Sequence, residues 1–263
     1  MEASATGARV TRISIAPIKG LAVRRVDSVD VGVNGVAENR RLHFVDESGR
    51  FVNGKTSMRL SLVGSRLNLA ENTLALELPE GDVVRGTLEL GEPIETVFFG
   101  RPAQGRIVMG PWGPALSEWS GLDLRLVLSD EVGAANDRGP DAGISIISEA
   151  SVADLAHRGG ADALDSRRFR MLFEVGGVAP YAEDTWIDHD VRIGDAVVFP
   201  LGNIGRCVVT TCDPDTAQRD FDTLGVLAGY RRDIDTTEPL PLGIVGDVVT
   251  PGRVRVGDPV AVL

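Results

Sequence analysis

The strongest constraint on this chain's fold is a cadence of short alternating segments separated by glycine-rich turns. Arg9-Val10-Thr11-Arg12-Ile13-Ser14-Ile15 alternates polar and apolar residues, the period-2 signature of a half-buried strand. Pro17-Ile18-Lys19-Gly20 ends it. Residues 29–33 alternate again and turn at Asn34-Gly35, a hairpin signal. Residues 40–45, 60–63, 66–70, 74–78, 87–90 and 96–99 continue the same rhythm. Thirty-one glycines and an aromatic content of only 5% favour tight turns and compact β-structure. Short strands at this spacing predict a barrel or half-barrel.

The pattern changes in the second half. Residues 114–119 predict a short helix and 122–128 a strand, and we draw a division into two domains there, 9–125 and 126–263. Residues 144–147 read as a buried strand that runs into a helix, with Ser148 as its N-cap. Residues 169–173 return to strand, and 187–199 read as strand, turn, strand, bending at Arg192-Ile193-Gly194-Asp195. Phe221, Leu224, Leu227 and Ala228 recur at helical spacing. Residues 254–256 and 260–263 flank a Gly257-Asp258-Pro259 turn and predict a terminal hairpin. The fold class expected is mainly β with a few helices.

A net charge of −11 argues against nucleic acid, because phosphate neutralisation needs a basic face. No apolar run has the length of a membrane span. Met1-Glu2-Ala3-Ser4 lacks the basic and apolar regions of a signal peptide. Two cysteines five positions apart form no disulfide framework, so a cytoplasmic location is expected. Lys19 and Lys55 are the only lysines.

The stretch Arg206-Cys207-Val208-Val209-Thr210-Thr211-Cys212-Asp213-Pro214-Asp215-Thr216 holds both cysteines. It reads as a strand that carries a thiol and ends in hydroxyls beside a turn. Such a segment presents soft sulfur and hydrogen-bond donors to one ligand. Taken alone, the commoner fate of a lone cysteine is that of a small buried apolar residue. His43, His157 and His189 are scattered, which supports no histidine-based metal site. Ser148 and Ser151 have no histidine nearby in sequence.

Arg-Cys-x-x-Thr-Thr-x-Asp-Pro-Asp-Thr resembles the signature of the MOSC family, the molybdenum cofactor sulfurase C-terminal domains, in its amidoxime-reducing branch. The strand-to-helix segment 147–155, Arg168-Phe169-Arg170, Tyr181-Ala182-Glu183-Asp184-Thr185-Trp186 and Arg192-Ile193-Gly194-Asp195 are similar to further family elements. Pro17-Ile18-Lys19 and Arg40 resemble elements of the β-barrel domain that precedes MOSC in this branch. The resemblance implies an N-terminal β-barrel domain packed on a MOSC β-barrel domain.

It also implies a molybdenum cofactor with Cys207 as the metal ligand and catalytic thiolate, its pKa lowered by Arg206. Lys19, Arg40 and Arg170 are expected to bind the cofactor phosphate. Ser148 and Glu149, at a helix start, offer backbone N–H groups to an anion. Thr210 and Thr211 complete the cofactor contacts, and Asp213, with Asp215, is a candidate proton relay. The bland alternatives are solvated charges at Lys19 and Arg40, an ion pair of Arg170 with Asp165 or Glu174, and a turn role for the aspartates. Cys212 reads as packing. Three departures from the family pattern stand out: Gly20 for serine, Asn39 for aspartate and Leu172 for asparagine.

The implied activity is reduction of N-hydroxylated or related N–O or S–O small molecules. No four-cysteine cluster motif follows the MOSC segment, so electrons are expected from a separate ferredoxin, flavoprotein or cytochrome. Two other readings stay open. One is a persulfide-bearing sulfur carrier. The other is a phosphate-cofactor module, for example for pyridoxal phosphate, with Lys19 or Lys55 facing the pocket.

Overall fold

The computed structural model describes residues 7–98, 100–133, 139, 142–236 and 238–263. An eight-stranded sheet runs in the order Val260–Val262, Val191–Ile193, Ala196–Gly205, Pro241–Thr250, Ile144–Ser148, Phe173–Gly176, Arg9–Ile15, Arg24–Val26. Its inner face buries Val10, Ile13, Ile146, Phe173, Val191 and Ile244 in one core. A second sheet orders Glu89–Phe98, Arg101–Met109, Arg125–Ser129, Leu42–Val45 and Ile18–Lys19, with Phe51–Val52 also paired to Leu42–Val45. A three-stranded meander of Gly64–Asn68, Thr73–Glu77 and Val83–Thr87 packs beside it. Leu42, Leu60, Leu74, Leu76, Trp112 and Leu116 fill that second core. The described residues are mainly β, as the alternation predicts, with three short helices among them.

The helices are α1 (Trp112–Ser120), α2 (Glu149–Arg158) and α3 (Thr223–Ala228). Gly121 closes α1 in the left-handed conformation, φ 73°. Ser148 caps α2 as expected, its Oγ accepting from Ser151 N at 3.0 Å. Among the described residues, no helix is long and apolar enough to cross a membrane.

Several expected elements take another form. Residues 60–63 lie in a 3-10 turn, Met58–Leu62, rather than a strand. The strands expected at 87–90 and 96–99 largely merge into Glu89–Phe98, with Phe99 outside the described residues. Residues 166–169 form a 3-10 turn before the strand Phe173–Gly176 begins. The terminal hairpin does not form: Gly252–Arg255 pairs with Ser28–Gly32, and Val260–Val262 pairs with Val191–Ile193. Alternation identifies a strand and its buried face but carries no information on the partner. For the same reason, sheet membership cuts across the division at 125/126. Arg125–Ser129 spans it, while Arg9–Ile15 and Arg24–Val26 join strands from the second half.

A buried carboxyl holds the start of α2. Glu183 sits in the 3-10 turn Ala182–Trp186, fully buried, and its Oε1 accepts from Ser148 N at 3.1 Å. Its Oε2 is buried without a partner, and burial pushes its pKa above the ordinary carboxylate value. A raised folded pKa favours the native state only while the group is protonated. Its contribution is complete below the unfolded pKa and is lost as pH rises through the folded pKa. Glu183→Gln replaces the carboxyl acceptor with an amide oxygen and removes the titration. Its stability relative to the parent chain should therefore improve steadily as pH rises from the ordinary glutamate range. Urea midpoints measured across pH for both proteins check this; parallel profiles would show that Glu183 does not titrate with folding.

Candidate functional site

A cavity of about 520 Å³ opens between the two sheets. The second half of the chain supplies Arg168, Arg170, Arg206 and Cys207 to its wall, and the first half supplies Lys19 and Arg40. Both lysines of the chain line it, as does Arg101. This is a concentration of cations in a protein with a net charge of −11.

Lys19 is fixed by the two-residue strand Ile18–Lys19, which pairs in parallel with Leu42–Val45. The side chain is 7% exposed, so it is not the solvated surface charge that its residue type suggests. Gly20 follows at φ +91°, and a Cβ there would lie 3.3 Å from Asn53 Cα. Glycine at this position thus has a backbone reason, because an L side chain is strained in that region.

Arg40 and Arg170 both adopt left-handed backbone, at φ 53° and 58°. Arg40 Nη2 donates to the Arg170 carbonyl at 3.1 Å, tying the two halves together across the cavity. Asn39 Oδ1 accepts from Ala16 N at 2.9 Å. An amide oxygen therefore supplies an acceptor where the family has a carboxylate. The carboxylates considered as partners for Arg170 bond elsewhere: Asp165 takes Arg167, and Glu174 takes Arg12. Leu172 is buried and presents an apolar surface to the cavity.

The cysteine segment is a tight turn, not a strand. The strand Ala196–Gly205 ends two residues before Cys207, which precedes the 3-10 turn Val208–Thr211. The Cys207 carbonyl accepts from Thr210 N at 3.0 Å and from Thr210 Oγ1 at 2.9 Å. Thr211 Oγ1 donates to Val208 O at 2.7 Å. These threonines spend their hydroxyl protons on local carbonyls, a habit that competes with a sheet ladder. Cys207 is half-buried in the cavity wall, whereas Cys212 is 3% exposed.

Arg206 is a clamp on the backbone. Its Nε donates to Leu242 O at 2.8 Å, its Nη2 donates to the same carbonyl, and its Nη1 donates to Phe169 O at 3.2 Å. The guanidinium also stacks on the Phe169 ring, 5.4 Å from the centroid.

Of the residues singled out from sequence, Lys19, Arg40, Arg170, Arg206, Cys207 and Thr210 line this cavity. Ser148, Glu149, Thr211 and Asp213 do not. At the start of α2, the Glu183 carboxyl takes the Ser148 N–H that an anion was expected to use. Asp213 Oδ1 accepts from Asp215 N at 2.9 Å and Thr216 N at 2.8 Å, shaping its own turn. It borders a separate hollow of about 30 Å³ beside Cys212. Asp215 is paired with Arg167.

Of the other cations here, Arg101 lies outside every motif noted above, Lys55 enters only as a candidate Schiff-base amine, and Arg168 only within Arg168-Phe169-Arg170. Arg168 is 4% exposed, bonds Asp220 through both terminal nitrogens at 3.0 and 2.9 Å, and has a buried Nε without a partner. One signal was available: in a chain that otherwise uses arginine, both lysines fall at this cavity.

Comparison with known proteins agrees with the architecture. Residues 7–104 match the family model of the MOSC N-terminal beta barrel domain, and 134–261 match that of the MOSC domain. Mitochondrial amidoxime reducing component 2 of Rattus norvegicus is 30% identical over 95% of this chain and 82% of its own length. Molybdenum cofactor sulfurase of Danio rerio is 26% identical over 84% of this chain but 30% of its own length. Among solved structures, the YUAD protein from Bacillus subtilis aligns at a TM-score of 0.46 and 14% identity, covering 98% of this chain and 96% of that one. The chain belongs to the MOSC family, in the branch of the amidoxime-reducing components.

Proposed function

We propose that this chain is a molybdenum-cofactor-dependent reductase of N-hydroxylated or related N–O compounds, working in the cavity that carries Cys207. The observation that supports it best is convergence. Lys19, Arg40, Arg170 and Cys207 come from distant parts of the sequence and line one hollow. A persulfide carrier needs only an accessible thiol and has no use for that assembly of cations. The amidoxime-reducing relatives point the same way through their names.

The donor set fits the cofactor. Its phosphate is an anion, and guanidinium and ammonium groups are its natural partners. The half-buried Cys207 offers one soft thiolate ligand, suited to a metal whose remaining ligands come with the cofactor. A volume of about 520 Å³ is within the usual range for a small-molecule site. When bound, the cofactor would supply the two-electron chemistry that cleaves the N–O bond.

The chain's own residues do the holding and shaping. Arg206 anchors the residue before Cys207 to the Leu242 and Phe169 carbonyls, which restrains the chain that carries the thiol. Thr210 closes the turn behind it. Leu172 and Phe169 exclude water from part of the wall. Ser148, Glu149 and Thr211 act through the scaffold, and Asp213 acts as a turn former. Electrons arrive from a separate carrier protein. Two free thiols suit a cytoplasmic setting.

The lysines favour one other reading. Both line the cavity, so a pyridoxal-phosphate Schiff base has a candidate amine. Borohydride treatment of protein purified with that cofactor, followed by peptide mass mapping, checks it; an unmodified Lys19 and Lys55 would end it.

Cys207→Ser should lose molybdenum and activity while keeping the fold, because a hydroxyl is a far poorer soft-metal ligand than a thiolate. Cys212→Ser should keep both. Metal analysis of protein from a host that makes the cofactor is the measurement; equal molybdenum in Cys207→Ser and the parent protein would remove the ligand assignment.

Arg170→Ala should weaken cofactor retention by about 1.5–3 kcal/mol, the worth of a charge-assisted contact. Pterin content after purification measures it. Sulfur transfer from a persulfide donor, run on the same two proteins, should not change. Intact sulfur transfer in a parent protein that never holds pterin would favour the carrier instead.

A further inference from the structure

Beneath Lys19 lies an aromatic cluster that the family motifs do not account for, with half-buried Phe51 at the cavity wall and His43 and Phe98 buried behind it. The Lys19 ammonium sits over two aromatic rings, 5.3 Å from the Phe51 centroid and 5.7 Å from that of Phe98. The two rings touch each other at 4.6 Å between centroids. His43 closes the cluster, edge-on to Phe98 at 4.7 Å and to Phe51 at 6.1 Å. Register brings them together. Lys19 is the ladder partner of His43, Phe51 pairs with Val45 further along the same edge of that strand, and Phe98 comes from the hairpin Glu89–Phe98 and Arg101–Met109. His43 and Phe98 are 0% and 1% exposed.

The hydrogen bonds around His43 accommodate a neutral ring. Thr96 Oγ1 lies 3.3 Å from Ala103 O and 3.1 Å from His43 Nε2. A threonine hydroxyl has one proton. If that proton goes to the Ala103 carbonyl, which can only accept, Thr96 must accept from His43 Nε2–H. Nδ1 then carries the lone pair and faces Ser129 Oγ at 3.4 Å, an available donor. Burial and the Lys19 charge hold the His43 pKa down to about 3.

We propose that Phe51, Phe98 and neutral His43 are positioning residues, a seat that orients the Lys19 ammonium toward an anionic group bound in the cavity. An aromatic face attracts the cation through its quadrupole and adds no net charge. The two ring faces thereby restrain the ammonium before the ligand arrives, and they add no charge of their own. Lysine, a compact point charge, suits a seat of two ring faces better than a planar fork would. This inference rests on the proposed reading of the cavity as an anion site.

The test is a series at position 98 in the cofactor-free full chain. Phenylalanine is replaced by its mono-, di- and trifluoro analogues, which weaken the ring quadrupole stepwise at nearly constant shape. Inorganic phosphate is the probe, titrated calorimetrically, with melting temperature recorded for each protein. Phosphate affinity should fall stepwise, by roughly three- to tenfold across the series, the scale of one partly desolvated cation–π contact. The melting temperature should not follow it. Lys19→Met is run alongside and should lose at least as much.

A flat fluorine series with a clear Lys19→Met loss would overturn the seat and leave the cavity reading standing. An affinity loss that tracks melting temperature would also overturn it, by reducing Phe98 to packing. No change in Lys19→Met would overturn both.

Discussion

Gathering positive charge around one hollow is electrostatically costly, and much of this structure works to hold it there. Two like charges ~8 Å apart repel by about 2 kcal/mol at an effective dielectric of ~20. Several of the cavity's cations are seated on neutral groups. Lys19 rests on two aromatic faces, Arg206 bonds the Leu242 and Phe169 carbonyls, and Arg40 bonds the Arg170 carbonyl. Such contacts restrain the side chains and add no charge of their own. Two further arginines, one of them in the cavity wall, are held by carboxylates. Arg167 is held by Asp165 and Asp215, and Arg168 by Asp220, so their charge is largely answered within the protein.

The strands were legible because alternation is a local property. Arg9–Ile15 alternates in sequence, and its apolar residues Val10, Ile13 and Ile15 are buried, with Ser14 buried beside them. Partners were not legible, because pairing depends on where the chain travels between strands. The terminal residues show this most clearly. Gly257 and Pro259 make a convincing turn, yet the strands on either side join different sheets. The cysteine segment failed for a different reason. Val208 and Val209 favour strand, but the Thr210 and Thr211 hydroxyls satisfy nearby carbonyls and stabilise a tight turn.

The site divides the same way. Cavity-lining residues that fall in a motif, such as Cys207, Arg170 and Lys19, are readable from pattern. Those that reach the cavity through tertiary packing were not. Arg101 sits at a hairpin end, and Lys55 follows an exposed turn; nothing local says that these loops face Cys207. The helix-start argument for Ser148 and Glu149 was physically sound, since such N–H groups do attract anions. What it missed is that the protein supplies its own carboxyl there, from Glu183, thirty-five positions away.

The cavity's shape depends on both halves folding together. The N-terminal strand Arg9–Ile15 pairs antiparallel with Phe173–Gly176 inside the larger sheet, and Ser28–Gly32 pairs with Gly252–Arg255. Each half therefore carries strands that the other completes. Contact at the cavity itself is equally close: a Cβ on Gly54, in the loop after Phe51–Val52, would lie 3.3 Å from Val209 in the cysteine turn. The Lys19 seat is built in one sheet and Cys207 hangs from the other, so their separation is set by the sheet-to-sheet packing rather than by either motif. A change in that packing shifts thiol and ammonium relative to each other with every motif residue intact. Conservation of motif letters is thus a weaker guide to this site's competence than the integrity of the strand pairs that join the two halves.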